Sequence, residues 1–324
     1  MKILYLIGNG FDINIGMKTR YADFYNYYSS IPSESKLVNA LKDHIKEDIL
    51  NWSDLELAFG KYTSKLEDIN QFDEVYEDIV NNLCDYLQME EDKFDFSKIN
   101  SNNFFKNLCS PELFLADEDI NEILKYKSGW RDIDWDVNII TFNYTTSVEK
   151  ICGGGVQNIL IGSHAISKKI FLKKILHVHG FTDKKTILGV NDISQVDNKI
   201  FHDNEEILNA LIKVNCNQTQ RHNVDIQCIN NIQKANLICI FGSSLGSTDN
   251  FWWQQILKNL NRNIKVIIFY KGEEYSPRFG HRVVRTQRNI KNYFLEKLDL
   301  TIDERKIFEN NVYIAVNSEM FNIL

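Results

Sequence analysis

Lys2-Ile3-Leu4-Tyr5-Leu6-Ile7-Gly8-Asn9-Gly10-Phe11-Asp12 is the stretch on which the fold of this chain turns. A short apolar run of strand length stops at two glycines and passes into a polar segment. A nucleotide-binding α/β domain begins this way. Glycine lets the backbone come close to a ligand, and the N–H groups at the start of the following helix can face a phosphate. A tight strand-to-helix turn also needs glycine with no phosphate bound, so the run takes its weight from the rest of the chain.

Beyond Asp12 the pattern changes. From about Tyr21 to Tyr126 the apolar spacing is helical, with Trp52, Leu55, Leu57, Phe59, Tyr62 and Leu66 on one face and Val75, Ile79, Leu83, Tyr86 and Leu87 on another. Ser53, followed three residues later by Glu56, reads as a helix N-cap with its capping-box glutamate. Strand signals return at Val137–Phe142, Asn158–Ile161, Lys174–Val178, Ile187–Val190, Leu237–Phe241, Lys265–Tyr270 and Val312–Val316. Several are continuous apolar runs, as in strands covered on both faces. Helical stretches near Asn204–Val214, Val224–Ala235, Asn250–Leu260 and Arg282–Leu298 alternate with them. The expected fold is α/β, a Rossmann-like parallel sheet with a large helical insertion after the first strand. Residues 1–20 and 130–324 make the nucleotide-binding core, and 21–129 the insertion.

Composition narrows the function classes. With 324 residues, 44% of them hydrophobic and 12% aromatic, the chain has ample material for a packed core. A net charge of −7 without a lysine or arginine block argues against nucleic acid as the main ligand. No apolar run reaches the roughly 18 residues that span a bilayer, and Met1 leads straight into a core-type strand, so no membrane association and a cytoplasmic location are expected. The six cysteines form no Cys-x-x-Cys pair, which excludes a zinc ribbon and leaves most of them as small buried hydrophobes.

Four polar clusters fall at the C-terminal ends of expected strands, the edge where open α/β sheets bind ligands. They are Gly8-Asn9-Gly10-Phe11-Asp12, Thr141-Phe142-Asn143-Tyr144-Thr145, His177-Val178-His179-Gly180 and Gly242-Ser243-Ser244-Leu245-Gly246, with Asp249 just beyond the last. Singly, each has a plain structural role: Asn143 as a turn residue, the serines as helix caps, His179 as a satisfied core histidine. Together on one edge they point to a ligand site.

These motifs, with Met17-Lys18-Thr19-x-Tyr21-x-x-Phe24 and Trp52-Ser53-Asp54-Leu55-Glu56, resemble the bacteriophage abortive-infection AbiH family over nearly the whole chain. More remotely, the order Gly-x-Gly, Thr-x-Asn, His-Gly, Gly-Ser-Ser-Leu is similar to sirtuin-like NAD-binding domains. That resemblance implies that Gly8 and Gly10, with Asn9, Phe11 and Asp12 around them, hold a pyrophosphate. It places Asn143, beside Thr141, against the ribose and attacking water, and makes His179 the base. Ser243 and Ser244, with Gly242 and Asp249, fall on the adenosine side. The implied activity is hydrolysis of NAD⁺ to ADP-ribose and nicotinamide in phage defence, with NAD as substrate, no metal, and a homo-oligomer or an activating protein partner controlling it. The chain departs from the sirtuin-like pattern at Asp12, where a serine is expected, and at Thr145, where many relatives are acidic. It also lacks the four-cysteine zinc module of the deacylases.

Other readings compete. A dehydrogenase fails because Ile13 takes the place of the third glycine and no second strand ending in an acid follows in range. Gly242-x-Ser244-x-Gly246 matches a nucleophile elbow, so a serine hydrolase using Ser244 is an alternative, yet only His281 follows it. His177 and His179, completed by Asp192, His164 or His202, could hold a metal. A non-catalytic nucleotide sensor or assembly module needs the same glycines as an enzyme. Glu56 is read as a cap only.

Overall fold

The computed structural model describes residues 1–155, 158–219, 223–260 and 263–324. Its centre is strand β1 (Lys2–Ile7), in a seven-stranded sheet with β2 (Trp135–Thr141), β3 (Ile159–Ala165), β4 (Lys168–His177), β5 (Leu237–Phe241), β6 (Lys265–Tyr270) and β7 (Val312–Val316). The order is β3-β4-β2-β1-β5-β6-β7. All neighbours run parallel except β3, which returns antiparallel on β4 as an edge hairpin and so departs from the all-parallel expectation. The chain steps outward from β1 through β2 to β4, then crosses back to β5 and continues to β7. The direction reverses between β1 and β5, which opens a crevice at the strand ends.

Register brings the polar motifs together. Ile7 lies opposite both Thr141 and Phe241, and Thr141 lies opposite His177. Parallel strands paired in this way finish at one edge, so the segments that follow them are neighbours.

The apolar run of β1 is explained by burial on both faces. Ile3, Tyr5 and Ile7 enter one core, while Leu4 and Leu6 enter the other. Helices α1 (Gly10–Asn14), α2 (Tyr21–Ser30), α3 (Lys36–Glu47), α4 (Leu55–Tyr62) and α5 (Ile69–Lys93) precede α6 (Ser101–Cys109) and α7 (Asp117–Lys127). The first face packs against α6 and α7 through Phe104, Leu108 and Ile123, and the Tyr5 hydroxyl donates to the Leu108 carbonyl at 2.9 Å. After α8 (Ser147–Ile151), α9 (Glu205–Leu211) and α10 (Lys213–Thr219) come α11 (Val224–Lys234), α12 (Asn250–Leu257), α13 (Gly280–Leu295) and α14 (Ile302–Glu309). The last four cover the second face.

Helices α2 to α5 build a third core, and it draws in Leu188, Val190, Phe201, Ile207 and Leu211 from far along the chain. This corrects the strand expected at Ile187–Val190. The segment leaves the sheet, keeps a single bridge between Val190 and Ile212, and gives its Leu188 carbonyl to the Tyr76 hydroxyl of α5. A four-residue apolar run reads alike whether strands or helices bury it. The single helix expected at Asn204–Val214 is two, because Ile212 is extended (φ −90°, ψ 114°). The cap of α4 is also corrected: Asp54, rather than Ser53, accepts the Leu57 N–H, at 3.1 Å. A true capping box lies at Thr301 and Glu304, opening α14, an element for which no expectation was formed.

Candidate functional site

Where β1, β2 and β5 end, a cleft of about 250 Å³ opens between the sheet and the helical lobe. The sheet side supplies Gly8, Asn9, Asp12, Asn143, Thr145, His179, Gly242, Ser243, Ser244 and Asp249, and the lobe supplies Tyr21, Ser53, Asp54 and Glu56. Nine of the residues expected from sequence therefore meet here. Gly10, Phe11 and Thr141 stand outside its lining.

The glycine turn is shaped by close packing. The Gly8 N–H donates to Phe241 and the Gly10 N–H to Gly242. A Cβ on Gly8 would lie 2.7 Å from the Gly242 oxygen, and one on Gly10 2.5 Å from the Gly242 Cα. Gly242 itself has φ +70°. The glycines bring two loops into backbone contact, and that requirement explains them before any ligand is invoked. Phe11 enters the core among Phe104, Phe241 and Phe321, which anchors the turn from below. Thr141 Oγ1 accepts the Asn143 N–H at 3.1 Å and sets the turn that presents Asn143. Asn9 pins the next loop, exchanging two side-chain hydrogen bonds with Thr19.

Asn143 is only 5% exposed, yet neither Nδ2 nor Oδ1 of its amide has a partner in the fold. A buried amide left this way is costly unless something else satisfies it. Beside it, Asp12 accepts the Thr145 hydroxyl at 2.6 Å and the Ser147 hydroxyl at 2.5 Å. Burial pushes its carboxyl up to about 6, against the pull of those hydroxyls and of the nearby Asn143 amide.

The two histidines divide. His177 is held between the Asn143 carbonyl (3.0 Å) and Glu149 (2.7 Å), and stacks on Phe181. His179 faces the cleft. Its Nε2 lies 3.1 Å from Asp249 Oδ1. Asp249 Oδ1 also takes Lys213 Nζ at 2.8 Å, and the same ammonium reaches Glu56 Oε2 at 2.7 Å. Burial alone would raise Asp249, but Lys213 and His179 outweigh it and hold the carboxyl below the usual carboxylate range. For Glu56 burial wins over Lys213, and its pKa is raised. Burial works to lower Lys213, but the two carboxylates overcome it and keep the ammonium charged. The expected capping role of Glu56 is thus corrected, since its carboxylate makes no cap. It reaches across from the lobe into a buried ion network.

Sequence reasoning missed Lys213 altogether. Its only signal was a cation within a mostly apolar amphipathic stretch, which is usually a solvated residue. The metal alternative loses its ligands: His164 stacks on Trp135, His202 bonds the Val196 carbonyl, and Asp192 caps Ser194. Ser244 lines the cleft, but no hydrogen bond joins it to a histidine among the described residues.

Across the Gly242–Ser244 wall lies a second cavity of about 510 Å³, bordered by Gly10, Arg20, Tyr270, Lys271 and Ser318. Its border carries two cations and no acid, whereas the first cleft carries Asp12, Asp54, Glu56 and Asp249.

Compared with known proteins, the chain matches one family profile, described as bacteriophage abortive infection AbiH, over residues 4–270. No curated protein matches it.

Proposed function

This chain belongs to the AbiH family of bacteriophage abortive-infection proteins, and from that premise we propose that it hydrolyses NAD⁺ at the nicotinamide–ribose bond. The observation that carries the reading is Asn143: a buried amide with donor and acceptor both free, in a cleft shared with His179. Cleavage of the N-glycosidic bond develops oxocarbenium character at the ribose carbon. The C–N electron pair goes to the ring, and nicotinamide leaves neutral, so no acid is needed on that side. The Asn143 amide can hold the ribose and the incoming water, using donor and acceptor together. His179 takes the water's proton as the C–O bond forms, an effect worth about 10²–10⁴ in rate, and Asp249 stabilises the imidazolium.

Two further features support the reading. The second cavity, with Arg20 and Lys271, suits the phosphate-bearing half of a dinucleotide laid over the Gly242–Ser244 wall. The two departures from the sirtuin-like pattern also meet: Thr145 donates to Asp12, so hydroxyl and acid have exchanged places within one contact. Draining the cell's NAD would serve abortive infection, and such an activity has to be held back until infection. Assembly of several copies, or an activating protein partner, is the proposed control, and the purified monomer is expected to be nearly silent.

The test is nicotinamide release from NAD⁺ by the purified protein, under conditions that favour assembly, beside Asn143→Ala and His179→Ala. Release that both substitutions abolish supports a glycohydrolase centred on these residues. Saturable NAD binding without release points to a non-catalytic sensor. Absence of both removes the nucleotide reading.

A further inference from the structure

Four carboxylates are fully buried among the described residues: Asp12, Glu56, Glu91 and Glu112. Three have a cation. Lys127 grips both oxygens of Glu112, Lys213 meets Glu56, and Lys150 lies 3.1 Å from Glu91. Asp12 has none. It is 1% exposed, its two hydrogen bonds come from neutral hydroxyls with the neutral Asn143 amide beside them, and the nearby charge that acts on it is Glu91, another acid. A fold that pairs its other buried acids has left this one open, and open toward the cleft. A second mark is the Asn143 amide in the same lining, which lies close enough to Asp12 to act on its carboxyl while neither its Nδ2 nor its Oδ1 makes an aligned hydrogen bond in the fold.

We propose that Asp12 is the counter-charge for a cationic ring in the ligand, so that the cleft floor is a subsite for a pyridinium. This rests on the NAD⁺ reading only for the identity of that ring, as nicotinamide bonded to ribose. The carboxylate supplies the charge that the fold withholds, and the ring completes the pair. The positive charge belongs to the bound substrate. It leaves the ring when the C–N electron pair arrives, so neutral nicotinamide is held more weakly than its precursor and is released. The subsite therefore sorts ligands by charge at constant shape.

The experiment is calorimetric titration of the full chain with two pairs of probes: 1-methylnicotinamide cation against neutral nicotinamide, and NAD⁺ against NADH. Each is run on the wild type and on Asp12→Asn, with a melting curve for both proteins. The wild type is expected to bind the cationic member of each pair roughly tenfold more tightly or better. Asp12→Asn should bring both ratios close to one while its melting temperature stays level or rises, whereas a purely structural carboxylate would lower it on removal. Equal affinities within the fragment pair in the wild type, or a preference that survives Asp12→Asn, overturn the proposal, and so does failure of all four probes to bind. The wild-type comparison stands even where the variant does not fold. A charge preference for the fragments with no NAD⁺ binding and no nicotinamide release refutes the NAD⁺ reading and leaves the cationic subsite in place. Release without charge preference does the reverse.

Discussion

The two walls of the cleft handle buried charge in opposite ways. Where the lobe meets α10 and the sheet, the carboxylates of Glu56 and Asp249 share the Lys213 ammonium at 2.7 and 2.8 Å, so each of these buried groups has an opposite charge without a ligand. On the sheet side, Asp12 lacks a cation and Asn143 lacks any side-chain partner. The first arrangement is what stability asks of buried ions, and the second sacrifices stability to hold groups ready for something else. On the proposed reading, the contrast separates residues that position from residues that bind.

Removing the shared cation should break the comparison most sharply. Lys213→Met leaves two carboxylates facing each other without an ammonium, and a loss of about 3–5 kcal/mol is expected in urea unfolding. A loss below about 1 kcal/mol would mean that the network is wetter than its geometry implies.

A smaller effect, of opposite sign, comes from Asp12. Its carboxyl stands at about 6 in the fold against 3.8 ordinarily, so the native state takes up the proton first. Stability from this group is present below the unfolded value and is lost as pH rises through about 6. Acidification from pH 7.5 to 5 should therefore stabilise the wild type more than Asp12→Asn, by about 1.4 kcal/mol. Glu56 acts in the same direction and Asp249 in the other, so the difference between wild type and variant isolates Asp12. Parallel curves for the two proteins would discount the burial of its charge.

The smallest stability change is expected at Asn143. Asn143→Ala removes an amide whose side chain has no partner, so unfolding should shift by less than about 1 kcal/mol while nicotinamide release is lost. A large destabilisation would show that the side chain holds the turn, a task the structure gives to Thr141.

Much of this was legible beforehand, for a physical reason. Two-sided burial writes a strand as an unbroken apolar run, and β1, β5, β6 and β7 carry that mark, while β2 is interrupted by the half-buried Asp136 and Asn138. Parallel register then gathers whatever follows them, so Asn143, His179 and Gly242–Ser244 were found from the ends of their strands. The lobe side was hidden because its contacts are made at long range. Glu56 and Lys213 stand 157 positions apart, and neither flank hints at the other. Gly10, Phe11 and Thr141 lie outside the cleft lining because a motif marks a turn as a whole and only some of its residues face the cleft.

The central place of β1 also has a consequence for synthesis. This strand is made first, but its neighbours β2 and β5 begin only at Trp135 and Leu237. At about 10 residues per second, Ile7 leaves the ribosome on the order of ten seconds before any strand can pair with it. Meanwhile an unpaired apolar segment waits beside helices α2 to α5, which form largely from near-neighbour contacts. Nascent copies growing side by side on one message would present the same sticky strand at the same moment. Expression yield should then depend on chaperone supply and translation speed more than on the stability of the finished protein.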